Sequence, residues 1–526
     1  MRFLQAKLMT TVAAVILGTM PLSAADLTIG VKSEPSSLDP QFHVLATNMQ
    51  VAFTMFEPLV MMDAEVVPQP ALADSWENVS PTEWLFHLRD GVTFSDGSPL
   101  TAEDVVFTFE RVAKVPNSPT SFTLFTRQIE KVEAVDDQTV RITTLRPHPL
   151  LLTDITSIPI MSKAAASGPA PEGKTTTELN RGEGLIGTGP FTFVSWQKGA
   201  DLVVARNPNY WGNAPEWDQV IFRPMTNPAA RAAALLAGDI DLMEDPPTAN
   251  LDDFKNNPAF TVEQAPAGRV IYIALDQQDR QSPGIGGAEG ANPLTDKRVR
   301  EALSLAIDRE GIVSRVMGGV AVAAGDMIPS TFFGSSPDHA TAPKVDVEKA
   351  RALLAEAGYP DGFTITLGTP NGRYVNDARI AQTVAAMWSR IGVTTEVNAA
   401  APPVFFKNRD ELQYSAYLGS WGNSTGENLT TLNAQASTFN REQGTGTANG
   451  GRYSNPEVDA LITLANATMD DDQRKALLEQ ADGMVMNDYG ILPLHFEVPV
   501  WAMRNGITID GRADQYTLPQ GVVSVE

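Results

Sequence analysis

The sequence predicts an α/β protein with more than one hydrophobic core, and three observations support that prediction. The chain has 526 residues, which exceeds what one core usually serves, so roughly two or three domains are expected. Strand and helix signals alternate along the chain. Between Phe363 and Val397 a strand, a helix and a second strand follow one another directly. This order is typical of a βαβ unit and therefore predicts a parallel sheet.

The elements of the amino-terminal half follow from alternation and from capping residues. Runs in which apolar and polar residues alternate predict strands, and these runs are Leu27–Val31, Val140–Thr144, Val220–Pro224 and Ile240–Leu242. Thr101 and Asp104 have the spacing of a capping box, which predicts a helix that continues through Val112. A second helix is predicted over Ala229–Ala237, and Gly238 ends it.

The most informative stretch reads DKRVREALSLAIDREG and continues after a loop as DVEKARALLAEAGYPDGFTIT. Val299, Leu303 and Ile307 recur at steps of four residues, which predicts one face of a helix. Asp346 is placed to cap a second helix, and Gly358 is placed to end it, because Gly readily takes the left-handed conformation that follows a helix.

The helix of the predicted βαβ unit runs from Asn376 to Ile391, and Gly392 ends it before the returning strand Val393–Val397. Its predicted inner face consists of Ile380, Val384, Met387 and Trp388. Residues 165–185 and 280–293 are rich in Gly, Pro, Ala and Ser, and this composition predicts surface loops.

The amino terminus predicts export. Arg2 and Lys7 precede an apolar run over Leu8–Met20, and small residues at 23–25 form a cleavage site before Asp26. This is the pattern of a secretory signal peptide, and the run is short for a membrane span. Cysteine is absent, so neither a lipid anchor nor a disulfide is expected.

The formal net charge of −24 at pH 7 argues against binding to nucleic acid or to anionic lipid. Two loop motifs resemble nucleotide-binding patterns. GPAPEGKT at 168–175 contains prolines, which lack the N–H groups that a phosphate requires. GEGLIG at 182–187 precedes a strand pattern rather than a helix. No catalytic motif, metal-ligand spacing or cofactor signature is present in the sequence, so no enzyme activity is expected.

Several blocks occur in one order along nearly the whole chain: GVKSEPSSLDP, WLFHLRDGVTFSDGSPLTAEDVVFTFER, GTGPF, RNPNYWG, AALLAGDIDL, YSNPEVDALI and ILPLHFEVPVWA. Together with the stretch from Asp296, they resemble the dipeptide, oligopeptide and nickel-binding class of extracytoplasmic solute-binding proteins, family 5, which serve ABC importers. The resemblance implies a type II periplasmic-binding-protein fold, in which two lobes joined by a hinge enclose a ligand cleft and an extra domain is added.

The resemblance also implies domain boundaries. Lobe I is expected from residues 26–60, 186–267 and 498–526, the extra domain II from 61–185, and lobe III from 268–497. Residues 1–25 are the expected signal peptide.

Four ligand-binding residues are implied by the resemblance. Arg373 occupies the place of an arginine that pairs with the ligand carboxylate, and a guanidinium suits that role; it could instead be a surface arginine at a helix start. Trp421 is expected either to stack on the ligand or to pack between lobes. Asn423 stands where relatives carry an aspartate that binds the ligand amine, and Glu427 is the candidate replacement for that aspartate.

The implied function is that of a periplasmic solute-binding protein. Such a protein captures a peptide or peptide-like solute by hinge closure and, as a monomer, delivers it to an inner-membrane ABC permease. Oligosaccharide, opine and nickel-chelate ligands stay open, because one fold hosts many ligands. Two other classes are alternatives, an exported hydrolase and a periplasmic chaperone.

Overall fold

The structure is a computed structural model that describes residues 26–265, 267–288, 290 and 292–525. The predicted signal peptide lies outside these residues. The strands are β1 (Asp26–Val31), β2 (Val60–Met62), β3 (Pro68–Pro70), β4 (Ala73–Ser80), β5 (Glu83–Leu88), β6 (Ile129–Ala134), β7 (Thr139–Thr144), β8 (Phe191–Trp196), β9 (Leu202–Arg206), β10 (Gln219–Pro224), β11 (Leu242–Glu244), β12 (Phe260–Gln264), β13 (Arg269–Leu275), β14 (Ala321–Ala323), β15 (Thr364–Pro370), β16 (Thr394–Ala400), β17 (Ala416–Gly422), β18 (Ile491–Glu497), β19 (Val500–Arg504), β20 (Ile507–Ile509) and β21 (Val522–Ser524).

The α-helices lie between these strands. They are α1 (Ala46–Met55), α2 (Ala102–Val112), α3 (Thr123–Thr126), α4 (Leu151–Ile155), α5 (Lys163–Ala166), α6 (Thr176–Leu179), α7 (Pro228–Ala237), α8 (Leu251–Lys255), α9 (Lys297–Leu305), α10 (Arg309–Arg315), α11 (Val347–Glu356), α12 (Asp377–Trp388), α13 (Pro402–Asp410), α14 (Asn428–Thr431), α15 (Pro456–Ala467) and α16 (Asp471–Asn487). Among the described residues, no helix combines the length and the apolar character that crossing a membrane requires.

A seven-stranded sheet has the order β12-β19-β11-β1-β10-β9-β8. Its central strands β10, β1 and β11 are parallel, whereas β19 runs antiparallel to both β11 and β12. Leu27 and Ile29 of β1 are fully buried, with Phe222 of β10 beside them in the same core. The alternation that predicted these strands therefore reflects one face turned to that core.

A six-stranded sheet has the order β14-β18-β13-β17-β15-β16. Strands β15 and β16 are parallel and α12 connects them, which confirms the predicted βαβ unit. All four residues of the predicted inner face of α12 are buried. Residues of α9 to α12 share one core on one face of the sheet, and residues of α13 to α16 share another core with alternate residues of β13, so the sheet is the middle layer of three.

A four-stranded antiparallel sheet has the order β4-β5-β7-β6. Helix α2 packs against it and contributes Val105 and Phe109 to its core. The capping box predicted at the start of α2 is present, because the Asp104 carboxylate accepts the Thr101 backbone N–H at 2.9 Å.

The helix predicted through Ile307 ends earlier. Helix α9 stops at Leu305, and Asp308 accepts the Gly311 backbone N–H at 2.8 Å to begin α10. Ile307 is nevertheless buried. The apolar spacing therefore predicted burial correctly, whereas the capping residue Asp308 determines where one helix ends and the next begins. The second prediction in this stretch is confirmed: Asp346 caps α11 through the Lys349 N–H.

The prediction of a surface loop over residues 165–185 is wrong in part. The segment contains α6, which begins with a capping box between Thr175 and Glu178, and Glu172 and Leu179 within it are buried. Arg111 of α2 donates to the Glu172 carbonyl oxygen at 2.9 Å. The small residues of this segment therefore permit close packing. A composition of this kind is compatible with both a buried and an exposed segment, so composition alone does not predict which one forms.

Two chain crossings join the seven-stranded sheet to the six-stranded sheet. The first connects β12 to β13, and the second connects β18 to β19. The crossings bond to each other, because Ala265 N–H donates to the Pro499 carbonyl and Ala267 N–H donates to the Glu497 carbonyl. Gly268 lies so close to the Asn423 carbonyl oxygen that a Cβ would collide with it, and Gly268 accepts the Asn423 N–H at 2.8 Å.

Candidate functional site

The two crossings leave and enter the sheets at the edges where parallel strands end. In the seven-stranded sheet this edge follows β1, β10 and β11. In the six-stranded sheet it follows β15, β16 and β17, which are parallel. Ligands of open α/β sheets bind outside the carboxyl ends of the strands, so both sheets present their binding edges beside the crossings.

Arg373 lies at this edge of the six-stranded sheet, in the loop between β15 and α12. Its side chain is exposed, and it forms no ion pair with a described residue. The Asp377 carboxylate holds the loop by accepting three backbone N–H groups, from Gly372, Arg373 and Tyr374. The Arg373 guanidinium lies 5.5 Å from the centre of the Tyr374 ring, which leaves its N–H donors available.

Arg269 begins β13 at the same edge. It donates to the Ser420 hydroxyl at 3.2 Å and lies 3.6 Å from the Glu497 carboxylate. Burial raises the pKa of Tyr374, and the charges of Arg373, Arg269 and Arg409 act in the opposite direction. The same tyrosine hydroxyl thus lies within the electrostatic reach of three arginines.

Trp421 is on β17, the strand between β13 and β15. Its indole N–H donates to the Thr431 hydroxyl at 3.0 Å, and its ring is partly buried against the core that contains Val270 and Tyr272. Both alternatives considered for Trp421 are compatible with this position, because one side packs on the core while the residue remains at the edge.

Asn423 is buried, and both the N–H donors and the carbonyl oxygen of its side-chain amide are hydrogen-bonded within its own loop. The Nδ2 group donates to the Glu427 carbonyl and to the Thr431 hydroxyl, both at 2.9 Å. The Oδ1 atom accepts from the Thr425 N–H and hydroxyl and from the Gly426 N–H. A primary amide has two donors and one carbonyl acceptor, so Asn423 shapes the loop in this arrangement.

Glu427 lies four residues further on and pairs with Arg474 of α16. The two side chains meet at 2.8 and 3.3 Å, and they are only 10% and 6% exposed. Burial raises the pKa of Glu427, with Arg474 opposing the shift. The carboxylate is therefore occupied by a cation of the chain itself.

Glu427 and Arg474 border a cavity of about 990 Å³. The cavity lies between two walls. One wall is formed by the four-stranded sheet and the β2–β3 hairpin, and the other by α16 and the loop after β14. Its aromatic walls are Trp76, Trp84, Phe332 and Phe333. The Arg474 guanidinium lies 5.0 Å from the Phe333 ring centre. The structure thus brings Trp421 and Arg373 to one edge, whereas Glu427 faces this separate cavity.

The facing edge of the seven-stranded sheet has its own charges. Lys32 follows β1 and pairs with Asp245 at 2.7 Å, where both side chains are about half exposed. Glu244 at the end of β11 accepts the Gln50 amide and the Lys32 N–H. The acids of this edge are therefore also engaged within the chain.

The two nucleotide-like motifs have other roles. In residues 168–175 the Glu172 and Lys174 carbonyl oxygens accept from Arg111, so this loop directs acceptors at a cation where a phosphate would need donors. The glycines at 182–187 precede strand β8. Within the described ranges, no three His, Asp or Glu side chains gather in an arrangement that could hold a metal ion.

The sequence reasoning missed Arg269, Tyr374 and Arg474. Tyr374 is adjacent to Arg373 and could have been found from the loop position. Arg269 begins a strand that no motif marks, and Arg474 is 47 residues from its partner Glu427. Only the pairing of β13 with β17, and the docking of α16, bring these two arginines to their places.

The comparisons with known proteins agree with this architecture. Residues 67–443 match the family described as bacterial extracellular solute-binding proteins, family 5 middle. Heme-binding protein A of Haemophilus influenzae is 29% identical over 82% of this chain and 79% of its own length. The dipeptide-binding protein of Escherichia coli K12 is 29% identical over 87% and 86%.

Among solved structures, HbpA2 from Haemophilus parasuis superposes with a TM-score of 0.81 at 25% identity, covering 95% of this chain and all of that one. This similarity confirms the predicted class, an α/β periplasmic-binding-protein fold with two lobes.

Proposed function

The chain belongs to family 5 of the bacterial extracellular solute-binding proteins, and from that premise we propose that it is the periplasmic component of an ABC importer. It captures a peptide or peptide-like solute between its two large sheets and delivers it to an inner-membrane permease. Relatives that are named as dipeptide-binding and heme-binding proteins support capture without chemical conversion. The chain itself works as a monomer, without a cofactor, a nucleic acid partner or a hydrolytic step.

The observation that carries this proposal is the pair of bonded crossings between the facing edges. In the part of the chain that the structure describes, the backbone passes between the two sheets after β12 and after β18. Small torsional changes at these crossings therefore change the separation of the edges. A solute that contacts both edges favours the closed arrangement by those contacts. The permease then distinguishes the loaded protein by its shape.

The domain division follows from the same arrangement. We assign residues 26–60, 186–267 and 498–526 to lobe I, 61–185 to domain II, and 268–497 to lobe III. In support, the strands of the seven-stranded sheet all come from the first set, those of the four-stranded sheet from the second, and those of the six-stranded sheet from the third.

Within the cleft we assign solute contact to Arg373 and Trp421. Arg373 offers a free guanidinium for a carboxylate, and Trp421 offers an aromatic face. Asn423 and Glu427 act through the shape of their loop, since their polar atoms already have partners in the chain. The loop is also bonded to the crossing at Gly268, so its shape and the hinge are linked.

Two measurements test the function. Mass spectrometry of small molecules released by denaturing the purified protein identifies the solute class, and peptides should predominate over oligosaccharides, opines or metal chelates. Small-angle scattering should then show a smaller radius of gyration when the released solute is added back. An unchanged scattering profile at saturation would contradict closure.

Incubation with the same solute distinguishes binding from hydrolysis, because a binding protein returns it intact. The location is tested separately: after osmotic shock the protein should appear in the periplasmic fraction with its amino terminus near Asp26. A membrane-bound protein with an intact leader would contradict the location.

A further inference from the structure

The binding edge of the six-stranded sheet is rich in positive charge, although the whole chain carries a formal charge of −24. Arg269 begins β13, Arg373 follows β15, and Arg409 lies in α13, which follows β16. The charges of all three oppose the raised pKa of Tyr374, whereas Glu497 reinforces it. Two helices, α12 and α13, also begin at this edge because they follow β15 and β16, and helix starts are electropositive. A local reversal of sign in an acidic protein concentrates anions at that place.

Three of the four carboxylates named here are already committed to partners in the chain. Asp377 accepts three backbone N–H groups, and Glu427 is paired with Arg474. Asp410 pairs with Arg409 at 2.7 Å. Glu497 lies 3.6 Å from Arg269, which is beyond hydrogen-bond distance, so both groups keep capacity for another partner. A ligand ammonium would therefore meet guanidinium groups here, and among these four carboxylates only Glu497, which faces Arg269, keeps free capacity.

The facing edge does not change that balance. Its two acids have partners of their own, since Asp245 pairs with Lys32 and Glu244 accepts from Gln50 and from the Lys32 backbone. Lys32 and Asp245 neutralise each other, so this pair adds no net charge to the cleft. The preference for anionic groups therefore comes from the edge of the six-stranded sheet, where Arg373 is exposed.

The two least committed arginines are held apart by the sheet. Arg269 begins β13 and Arg373 follows β15, and β17 lies between those strands. Neighbouring strands are about 4.8 Å apart, so β13 and β15 are separated by roughly 10 Å. Trp421 belongs to the intervening strand. Two separate anionic groups could each meet one arginine without drawing the two side chains together over that strand.

Building on the function proposed above, we propose that the solute carries two separated anionic groups, that Arg373 and Arg269 each bind one of them, and that Trp421 contacts the chain between them. The matching chemical class is a short peptide or peptide-like acid with a terminal carboxylate and a second carboxylate, and its amine need not be free. Arginine suits each contact because its fork of donors matches a carboxylate.

The test uses a defined mixture of tripeptides as the probe. Each tripeptide is present with a free and with an N-acetylated amine, and each has Glu, Gln or Ala at every position. Equilibrium dialysis against the full mature protein, followed by mass spectrometry, reports which members are enriched. N-acetylated members with an acidic residue should be enriched over their Gln counterparts.

Variants assign the two contacts. Arg269→Gln should reduce the preference for Glu over Gln by about tenfold or more, as expected when one partner of a close charge pair is lost, and Arg269→Lys should restore part of it. Arg373→Gln should reduce binding of all members. Arg390→Gln is the matched control, because Arg390 is exposed at the far end of α12, and it should change nothing.

The outcomes separate the inference from the function. Enrichment of neutral or singly charged members, or a requirement for a free amine, would overturn the two-anion inference while leaving peptide capture intact. An Arg269→Gln variant with the parent's preference would remove Arg269 from the site. If no member is enriched and no solute is released by denaturation, the proposed function itself fails.

Discussion

Two arginines of this chain show opposite relations to their surroundings. Arg111 of α2 is 1% exposed, and the chain satisfies all five of its N–H donors: Asp39 accepts two, and Gln41, Glu172 and Lys174 accept one each. Arg373 is exposed and no described residue accepts from its side chain. The first is a structural link between α2, the segment after β1 and the 165–185 segment. The second has its binding capacity unused.

The difference shows how a binding edge can be recognised in this fold. A buried guanidinium is costly unless every donor has an acceptor, so Arg111 can exist only because three segments converge on it. An exposed guanidinium has no such requirement and retains its donors for a solute. The unused donors at Arg373, rather than its charge alone, make the edge of the six-stranded sheet the better candidate for recognition.

The largest change in the free energy of unfolding is expected at the buried pair of Arg111 and Asp39. Arg111→Met removes the cation that pairs with the fully buried Asp39 carboxylate. Breaking a buried pair in this way costs about 3–5 kcal/mol, so the free energy of unfolding should fall by that amount in chemical denaturation. The double variant Asp39→Leu/Arg111→Met should recover part of the loss, because no buried charge is then left alone. A single-variant loss below about 1 kcal/mol would contradict the structural role.

A second buried carboxyl in the same region forms no ion pair with a described residue, although the charge of Arg89 acts on it. Glu57 accepts from the Thr188 hydroxyl, the Tyr210 hydroxyl and the Trp211 N–H, all of which are neutral. Burial raises the pKa of Glu57 to about 7, against the effect of these bonds. The Asp39 carboxylate is thus stabilised by a guanidinium, whereas the Glu57 carboxylate is stabilised by neutral hydrogen-bond donors.

This contrast predicts a pH dependence. The folded state holds the Glu57 proton more tightly than the unfolded state does, so this group's contribution to stability is complete at low pH. It declines as the pH rises from the ordinary glutamate pKa of about 4.3 to about 7, by roughly 3 kcal/mol. Glu57→Gln should flatten the profile in that window, as measured by urea denaturation between pH 4 and 8. A parallel profile for parent and variant would contradict the shifted pKa.

A smaller effect is expected at Asn423. Aspartate in its place would lose both amide donors and direct a carboxylate at the Glu427 carbonyl oxygen and the Thr431 hydroxyl. Leaving such buried groups unsatisfied costs about 1–3 kcal/mol. Asn423→Asp should therefore lower the thermal unfolding midpoint, and it should not increase the affinity for peptides with a free amine. Asn371→Asp is a suitable control, because Asn371 is exposed. Asn428→Asp is not, because Asn428 is buried as Asn423 is. An increase in affinity specific to free amines would restore Asn423 to the ligand site.

Much of the fold could be predicted because local signals and tertiary packing agree. The βαβ unit followed from the apolar face of α12 and the glycine at 392, and the cap at Asp346 was visible in the sequence. The division of the helix at Asp308 was less visible, because the apolar spacing continues through it. The 165–185 segment was misjudged because its burial depends on Arg111, which lies more than 50 residues earlier in the chain.

The site was less predictable than the fold for the same physical reason. Arg373 and Trp421 lie beside recognisable patterns, but their significance depends on which polar atoms nearby are already bonded. Glu427 could be singled out from the sequence, whereas its partner Arg474 comes from another helix and determines whether the carboxylate is free. The role of Arg269 depends on strand order, which no local pattern of β13 specifies.

The smallest change in the free energy of unfolding is expected at Arg373, and it tests the contrast with Arg111 most directly. Arg373→Met makes the same chemical change as Arg111→Met, but it removes a side chain without an acceptor in the described chain. The backbone of the loop should remain in place, because Asp377 binds the N–H groups of residues 372–374 and not the guanidinium. The free energy of unfolding should therefore change by less than about 0.5 kcal/mol in the denaturation assay used for Arg111, while peptide binding falls. A loss comparable to that of Arg111→Met would show that Arg373 has a structural partner, and the argument that its donors are reserved for a solute would then fail.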